Sequence, residues 1–228
     1  LGAYMKILNF GSLNLDIVYS PEHIVYPGET ISSPLREIFC GGKGLNQSLA
    51  LARAGAQVFH AGCIGSDGEQ LKILLSQSGV DTQYVRTLPA PSGHAIIQVD
   101  TSGQNAILIY GGANRLITPE FADEVLSAFS SGDFLVLQNE ISCIPYIIEK
   151  ATGIGMEIVF NPSPFDAAVS EYPLYKVTYI VLNETEGEAI TGQVKPDDIL
   201  SAASSRFPKA KILLTLGSLG SVYYDSGT

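Results

Sequence analysis

Short apolar runs recur along this chain between stretches of helical composition, and that alternation limits the possible folds more than any other feature. The runs fall at 7–10, 58–64, 134–138, 157–160, 179–182 and 211–216. Most are apolar at nearly every position, so both faces of each predicted strand must be covered, as in a parallel sheet flanked by helices. Residues 45–54 predict a helix closed by Gly55, and 119–129 one opened by Thr118-Pro119-Glu120 as cap and first turn. The fold class expected is α/β, a mainly parallel sheet with helices on both faces.

Two segments, 13–38 and 84–111, break this βαβ rhythm. The second contains the alternating stretches Ala95-Ile96-Ile97-Gln98-Val99 and Ala106-Ile107-Leu108-Ile109-Tyr110, with Thr101-Ser102-Gly103-Gln104-Asn105 as a hairpin turn between them. Together the segments predict a small antiparallel sheet inserted into one domain spanning 5–228. Half exposed, such a sheet can close over a cleft as a lid or pair with a second copy in a homodimer. Residues 1–4, ahead of Met5, add no pattern and read as a remnant foreign to the fold.

Composition removes several classes of function. At 228 residues, with 46% hydrophobic and 16% charged positions, the chain can bury a core without disulfide or metal staples. Its 23 acidic against 13 basic residues give a net charge of −10, the wrong sign for a sequence-independent nucleic-acid binder. No apolar run approaches the ~18 residues of a membrane span, and a soluble, cytoplasmic protein is expected. Cys40, Cys63 and Cys143 never form C-x-x-C and read as reduced core residues, while His23, His60 and His94 lack metal-ligand spacing and read as surface or satisfied core residues.

Chemistry concentrates in two motifs. In Gly11-Ser12-Leu13-Asn14-Leu15-Asp16-Ile17, extended geometry puts Asn14 and Asp16 on one face and the apolar residues on the other. This is either a half-solvated strand or a polar binding face. Phe39-Cys40-Gly41-Gly42-Lys43-Gly44-Leu45-Asn46-Gln47 is a glycine-rich turn running into a helix, which permits close backbone approach to a ligand and supplies N–H donors. It fits neither a Walker A loop nor a dinucleotide fingerprint. A tight strand-to-helix turn explains the glycines but not Lys43 and Asn46 appearing with them.

These motifs resemble those of the ribokinase family of PfkB-type carbohydrate kinases. The likeness extends through Pro27-Gly28-Glu29-Thr30, Gly65-Ser66-Asp67-Gly68, Gly112-Ala113-Asn114, Asn161-Pro162-Ser163-Pro164, Asn183-Glu184-Thr185-Glu186 and Thr215-Leu216-Gly217-Ser218-Leu219-Gly220, essentially the whole chain. It implies an ATP-dependent kinase for the primary hydroxyl of a furanose, ribose first, with another sugar, a nucleoside or a sugar acid as alternatives. It implies sugar contacts at Asn14, Asp16, Gly41, Gly42, Lys43, Asn46 and Glu140, although Asn139 stands where the pattern has an apolar residue. ATP contacts are implied at Asn183, Thr215, Leu216, Gly217 and Gly220, and an indirect, water-mediated role toward Mg²⁺ at Glu186. Read without the family, Asn183 and Glu186 are a helix N-cap and its capping-box acid. The family's G-A-G-D segment, with the catalytic Asp, and its monovalent-cation (K⁺) loop are expected beyond Thr228, so no catalytic base is expected within the chain and a non-catalytic sugar-binding remnant is a further alternative.

Overall fold

The computed structural model describes residues 5–225, so the expectations for residues 1–4 and 226–228 lie outside the described residues. The apolar runs become adjacent strands of an eight-stranded sheet in the order β12-β11-β10-β9-β8-β1-β4-β5. These are β1 (Ile7–Phe10), β4 (Val58–Ile64), β5 (Asp81–Thr87), β8 (Phe134–Gln138), β9 (Glu157–Asn161), β10 (Tyr179–Asn183), β11 (Lys211–Thr215) and β12 (Ser221–Tyr224). All pair in parallel except β12, which folds back on β11. The helices are α1 (Lys43–Arg53), α2 (Glu69–Gln77), α3 (Pro119–Leu126), α4 (Ile144–Ile154), α5 (Glu184–Thr191) and α6 (Pro196–Arg206).

The near-continuous apolarity of the strands has the predicted cause along one face of the sheet and, on the other, as far as β1. On one face Leu8, Phe10, Leu135, Leu137, Ile158, Phe160, Ile180 and Leu182 share a core with residues of α3, α4, α5 and α6, and Phe10 meets Phe121 edge-on at 5.6 Å. On the other, α1 and α2 bring Leu45, Leu49, Leu71 and Leu75 against Val58, Ile64 and Val85. This second layer stops near β1. Beyond it Phe134, Val136, Val159 and Val181 border an apolar cavity of about 480 Å³, walled on one side by Ala50 and Leu51 of α1.

A second, four-stranded sheet has the order β3-β2-β6-β7, from β2 (Asn14–Tyr19), β3 (Arg36–Gly41), β6 (Gly93–Val99) and β7 (Asn105–Tyr110). It corrects the sequence expectation twice. The sheet is mixed rather than antiparallel: β2 and β6 both run outward from the large sheet and lie side by side in parallel, and only their return strands β3 and β7 pair antiparallel. The inserted segment also starts later than residue 84, because 84–87 belong to β5, which pairs with β4. Alternation in sequence reports exposure of one face and cannot tell which sheet a strand joins. At the helix ends, α1 starts two residues earlier than expected, at Lys43, and α3 stops at Leu126.

Candidate functional site

At the C-terminal edge of the large sheet the chain leaves β1 through Gly11-Ser12, and the turn before α1 folds down onto it. A Cβ on Gly44 would lie 2.4 Å from the Ser12 nitrogen, so only glycine allows this approach. Gly42 takes φ +97°, where a side chain would be strained. The first turn of α1 therefore presents its free N–H groups to whatever lies at the end of β8, and Glu140 lies there. Its carboxylate is 8% exposed, accepts from the Lys43 N–H at 3.1 Å and from the Ser12 hydroxyl, and sits 3.7 Å from Lys43 Nζ. A carboxylate at a helix N-terminus gains from the exposed N–H groups and the helix dipole.

Asp16 joins this group from β2. The carboxylate occupies the space a side chain on Gly41 would need, its Oδ2 only 2.0 Å from that hypothetical Cβ. Burial raises its pKa, the Glu140 charge raises it further, and the Lys43 cation pulls it part of the way back. Two carboxylates and one lysine are thus coupled, and of the three Glu140 borders a cavity of about 180 Å³ lined also by Asn14, Ile109, Gly111, Asn114, Arg115 and Pro164. Of the residues expected at the sugar site, Asn14, Asp16, Gly41, Gly42, Lys43 and Glu140 come together. Asn46 lies one turn along α1 with its side chain exposed and no side-chain hydrogen bond among those described.

Several supporting residues escaped the list of sequence candidates. Asn114 is buried and clamps the start of β2: its Oδ1 accepts from the Leu13 N–H at 3.0 Å, and its Nδ2 donates to the Leu13 carbonyl at 3.2 Å and to Asn14 Oδ1 at 2.8 Å. The Gly112-Ala113-Asn114 motif was the available signal. Asp67 accepts from the Ser92 N–H at 2.9 Å and from its hydroxyl at 2.7 Å, tying the turn after β4 to the start of β6. Asn139 donates to the Pro164 carbonyl at 2.7 Å and accepts from the Tyr172 hydroxyl at 2.9 Å, so it fixes the loop after β9. Arg115 donates to the Ile141 carbonyl at 3.2 Å and borders the cavity. No sequence signal pointed to Arg115.

A second group sits farther along the same edge. Asn183 caps α5 by accepting from the Glu186 N–H at 2.8 Å, and Glu186 Oε2 accepts the Asn183 N–H at 3.1 Å, a complete capping box. Asn161 Nδ2 also reaches this carboxylate at 3.4 Å. Next to it, the Thr215 hydroxyl donates to the Leu182 carbonyl at 3.2 Å, and the turn from Leu216 to Gly220 uses positive φ at Gly217 and Gly220. Glu140 follows the end of β8 by two residues and Asn183 ends β10, two strands along the sheet. Among the described residues no cluster of three His, Cys, Asp or Glu could hold a metal. One oxygen of Glu186 is committed to its cap, so this donor set fits a metal carried on phosphate oxygens and waters, not a protein cage.

The chain matches the pfkB family of carbohydrate kinases over residues 5–228. It is similar to a ribokinase of Staphylococcus aureus (strain COL), 37% identical over 229 residues that take in 96% of this chain and 75% of that protein. Among solved structures it resembles the ribokinase of Cryptococcus neoformans in complex with ADP, at TM-score 0.82 and 31% identity over 98% of this chain and 77% of that one. It also resembles the Arabidopsis thaliana ribokinase complexed with ribose and ATP, at TM-score 0.81 and 26% identity over 99% and 76% of the two chains. No described helix is long and apolar enough to cross a membrane.

Proposed function

This chain belongs to the pfkB family of carbohydrate kinases, and we propose that within it the protein serves as a ribose kinase, passing the terminal phosphoryl group of ATP to the primary hydroxyl of ribose. The observation that carries this reading is the half-buried Asp16 carboxylate, held in the glycine-made space at Gly41 with the Glu140 and Lys43 charges acting on it, next to a small cavity that Asn14 and Glu140 border. A carboxylate that has given up part of its hydration accepts strongly from paired hydroxyls, which is how a sugar is gripped.

On this reading Asp16 and Asn14 orient the acceptor, Gly41 and Gly42 let it approach the backbone, and Lys43, Asn46 and Glu140 complete its polar surroundings. The nucleotide takes the second group, Asn183, Thr215, Leu216, Gly217 and Gly220. Mg²⁺ held by the nucleotide phosphates would supply charge neutralisation there, with Glu186 toward its water shell. Phosphoryl transfer needs chiefly positioning and charge stabilisation, and two groups fixed on one sheet edge provide the positioning. None of residues 5–225 is assigned the role of base. The second sheet acts as a lid over the acceptor, and its exposed Ile107, Leu108, Ile109 and Tyr110 support a homodimer formed through it.

The test is ADP formation with Mg²⁺ATP and a panel of ribose, 2-deoxyribose, fructose, a nucleoside and a sugar acid, together with calorimetric titration of ribose. Ribose is expected to give the highest kcat/KM. Ribose binding without ADP would point to a sugar-binding protein instead, and a higher kcat/KM for the nucleoside or sugar acid would displace ribose as acceptor.

A further inference from the structure

Beneath the acceptor group, between α1 and the large sheet, lies a chain of buried polar side chains that the proposed reaction does not use. Asn9 of β1 donates one amide hydrogen to the Gly44 carbonyl at 2.7 Å and the other to the Ser48 hydroxyl oxygen at 2.9 Å. Ser48 Oγ lies 2.8 Å from His60 Nδ1 of β4. The Gln138 amide of β8 donates to Asn9 Oδ1 at 2.9 Å and to Gln47 Oε1 at 2.8 Å. Asn9, Ser48, His60 and Gln138 are all fully buried.

The orientation of the amides in this chain follows from the Gly44 carbonyl, which can only accept. It fixes the Asn9 amide with its nitrogen toward α1. Ser48 accepts from Asn9 and shares a further hydrogen bond with His60 Nδ1. Burial keeps that imidazole neutral, pushing its pKa down to about 4. Asn9 Oδ1 in turn fixes the Gln138 amide, leaving Gln138 Oε1 against Gly11, 2.4 Å from where a Cβ would be. Gln138 Oε1 and His60 Nε2 are the buried side-chain atoms without a hydrogen-bond partner among the described residues.

Gly44 is the junction with the site above. Its carbonyl is held by Asn9, and its N–H donates to Ser12 Oγ at 3.2 Å, the same hydroxyl that bonds Glu140. We infer that Asn9, Ser48 and His60 are positioning residues for the acceptor site, setting the depth and rotation of the first turn of α1 so that the Lys43 and Gly44 N–H groups meet Glu140 and Ser12. This rests on the acceptor reading proposed above. On its other contacts α1 packs Leu45 and Leu49 into the apolar layer and donates the Leu45 N–H to the Ser12 carbonyl at 3.0 Å. The buried bonds from Asn9 to Gly44 and Ser48 add a second directional constraint, one turn deeper along the helix.

The experiment compares the intact protein with Ser48→Ala, Ser48→Cys and Asn9→Ala. It measures ribose and ATP dissociation constants by calorimetry and hydrogen exchange of the Lys43 and Gly44 amides. Ser48→Ala and Asn9→Ala are expected to weaken ribose binding at least fivefold and to speed exchange of both amides at least tenfold, leaving ATP binding within twofold. Ser48→Cys, which keeps a weak donor and acceptor between Asn9 and His60, recovers part of both effects. Folded Ser48→Ala protein with parental ribose affinity and parental exchange would overturn the inference, as would a loss of thermal stability with neither readout changed. Should Ser48→Ala fail to fold, Ser48→Cys bears the same measurements. If the unaltered protein binds no ribose, the acceptor reading falls, and the exchange rates alone then decide whether the network holds the turn.

Discussion

Asp16 and His60 are both displaced from ordinary ionisation by burial, and their pH signatures run in opposite directions. Asp16 holds its proton more tightly when folded, so its contribution to stability is greatest at acid pH and is lost as pH rises through its raised pKa. Asp16→Asn is therefore expected to melt above the parent at neutral pH, with the difference shrinking toward pH 3 in thermal unfolding. Function moves the other way. Losing two charge-assisted hydrogen bonds, each about 1.5–3 kcal/mol, should lower kcat/KM for ribose by about a hundredfold to ten-thousandfold in Asp16→Ala, and by less in Asp16→Asn. Because the Lys43 cation opposes the rise in pKa, Lys43→Met should shift the acid limb of the kcat/KM profile to higher pH. His60, with its folded pKa depressed to about 4 from 6.5, stays neutral while the unfolded chain takes up a proton. Stability is whole above pH 6.5 and falls as pH drops toward 4, by on the order of 3 kcal/mol at 1.36 kcal/mol per pH unit. Urea unfolding at pH 7 and pH 4.5 should show that loss in the parent and a smaller one in His60→Phe.

The second sheet shows how much an element's role depends on its partners. Its strands alternate as the sequence suggests, but β2 and β6 lie parallel because each leaves the large sheet at the same edge, one after β1 and the other after β5. The Asp67–Ser92 bonds and the Asn114 clamp pin the two departures side by side. The outer strand β7 is exposed, with Leu108 at 69%, and an exposed apolar edge strand invites pairing. Sedimentation is expected to give a two-chain particle, and Leu108→Glu a folded single chain. Saturating ribose should slow amide exchange in β6 and β7. A parent that sediments as one chain and whose β6 and β7 amides ignore ribose would count against both the dimer and the lid.

Across the whole molecule, the two polar groups share one rigid support. Glu140 lies just past β8 and Asn183 ends β10, two strands along a sheet with one face packed by four helices, and among the described residues they share no hydrogen-bond partner. Separate sites with no shared partner are expected to act independently. The destabilisations from Glu140→Gln and Asn183→Ala should therefore add in the double variant to within about 0.5 kcal/mol by denaturant titration. Loss of the Asn183 cap alone should cost about 1 kcal/mol. A larger coupling would mean that the sheet edge transmits strain between the groups.

The sequence by itself determined the α/β class, the positions of six of the large sheet's eight strands and the glycine turn before α1, since each depends on local periodicity or on a backbone that only glycine can follow. The polar residues Asn14, Asp16, Lys43 and Glu140 were legible because their motifs carry a family's spacing. Tertiary structure decided what no local pattern encodes. Strands far apart in the chain had to pair before β2 could lie beside β6, or before Glu140 could reach the helix turn that begins at Lys43. Asn9 and His60 each looked like an isolated polar residue in an apolar run. They became a network because parallel pairing sets β1 beside β4, with Asn9 in register with His60, and α1 lowers Ser48 between them. A buried polar side chain is stable when its partners converge on it, and that convergence is a property of the packed fold.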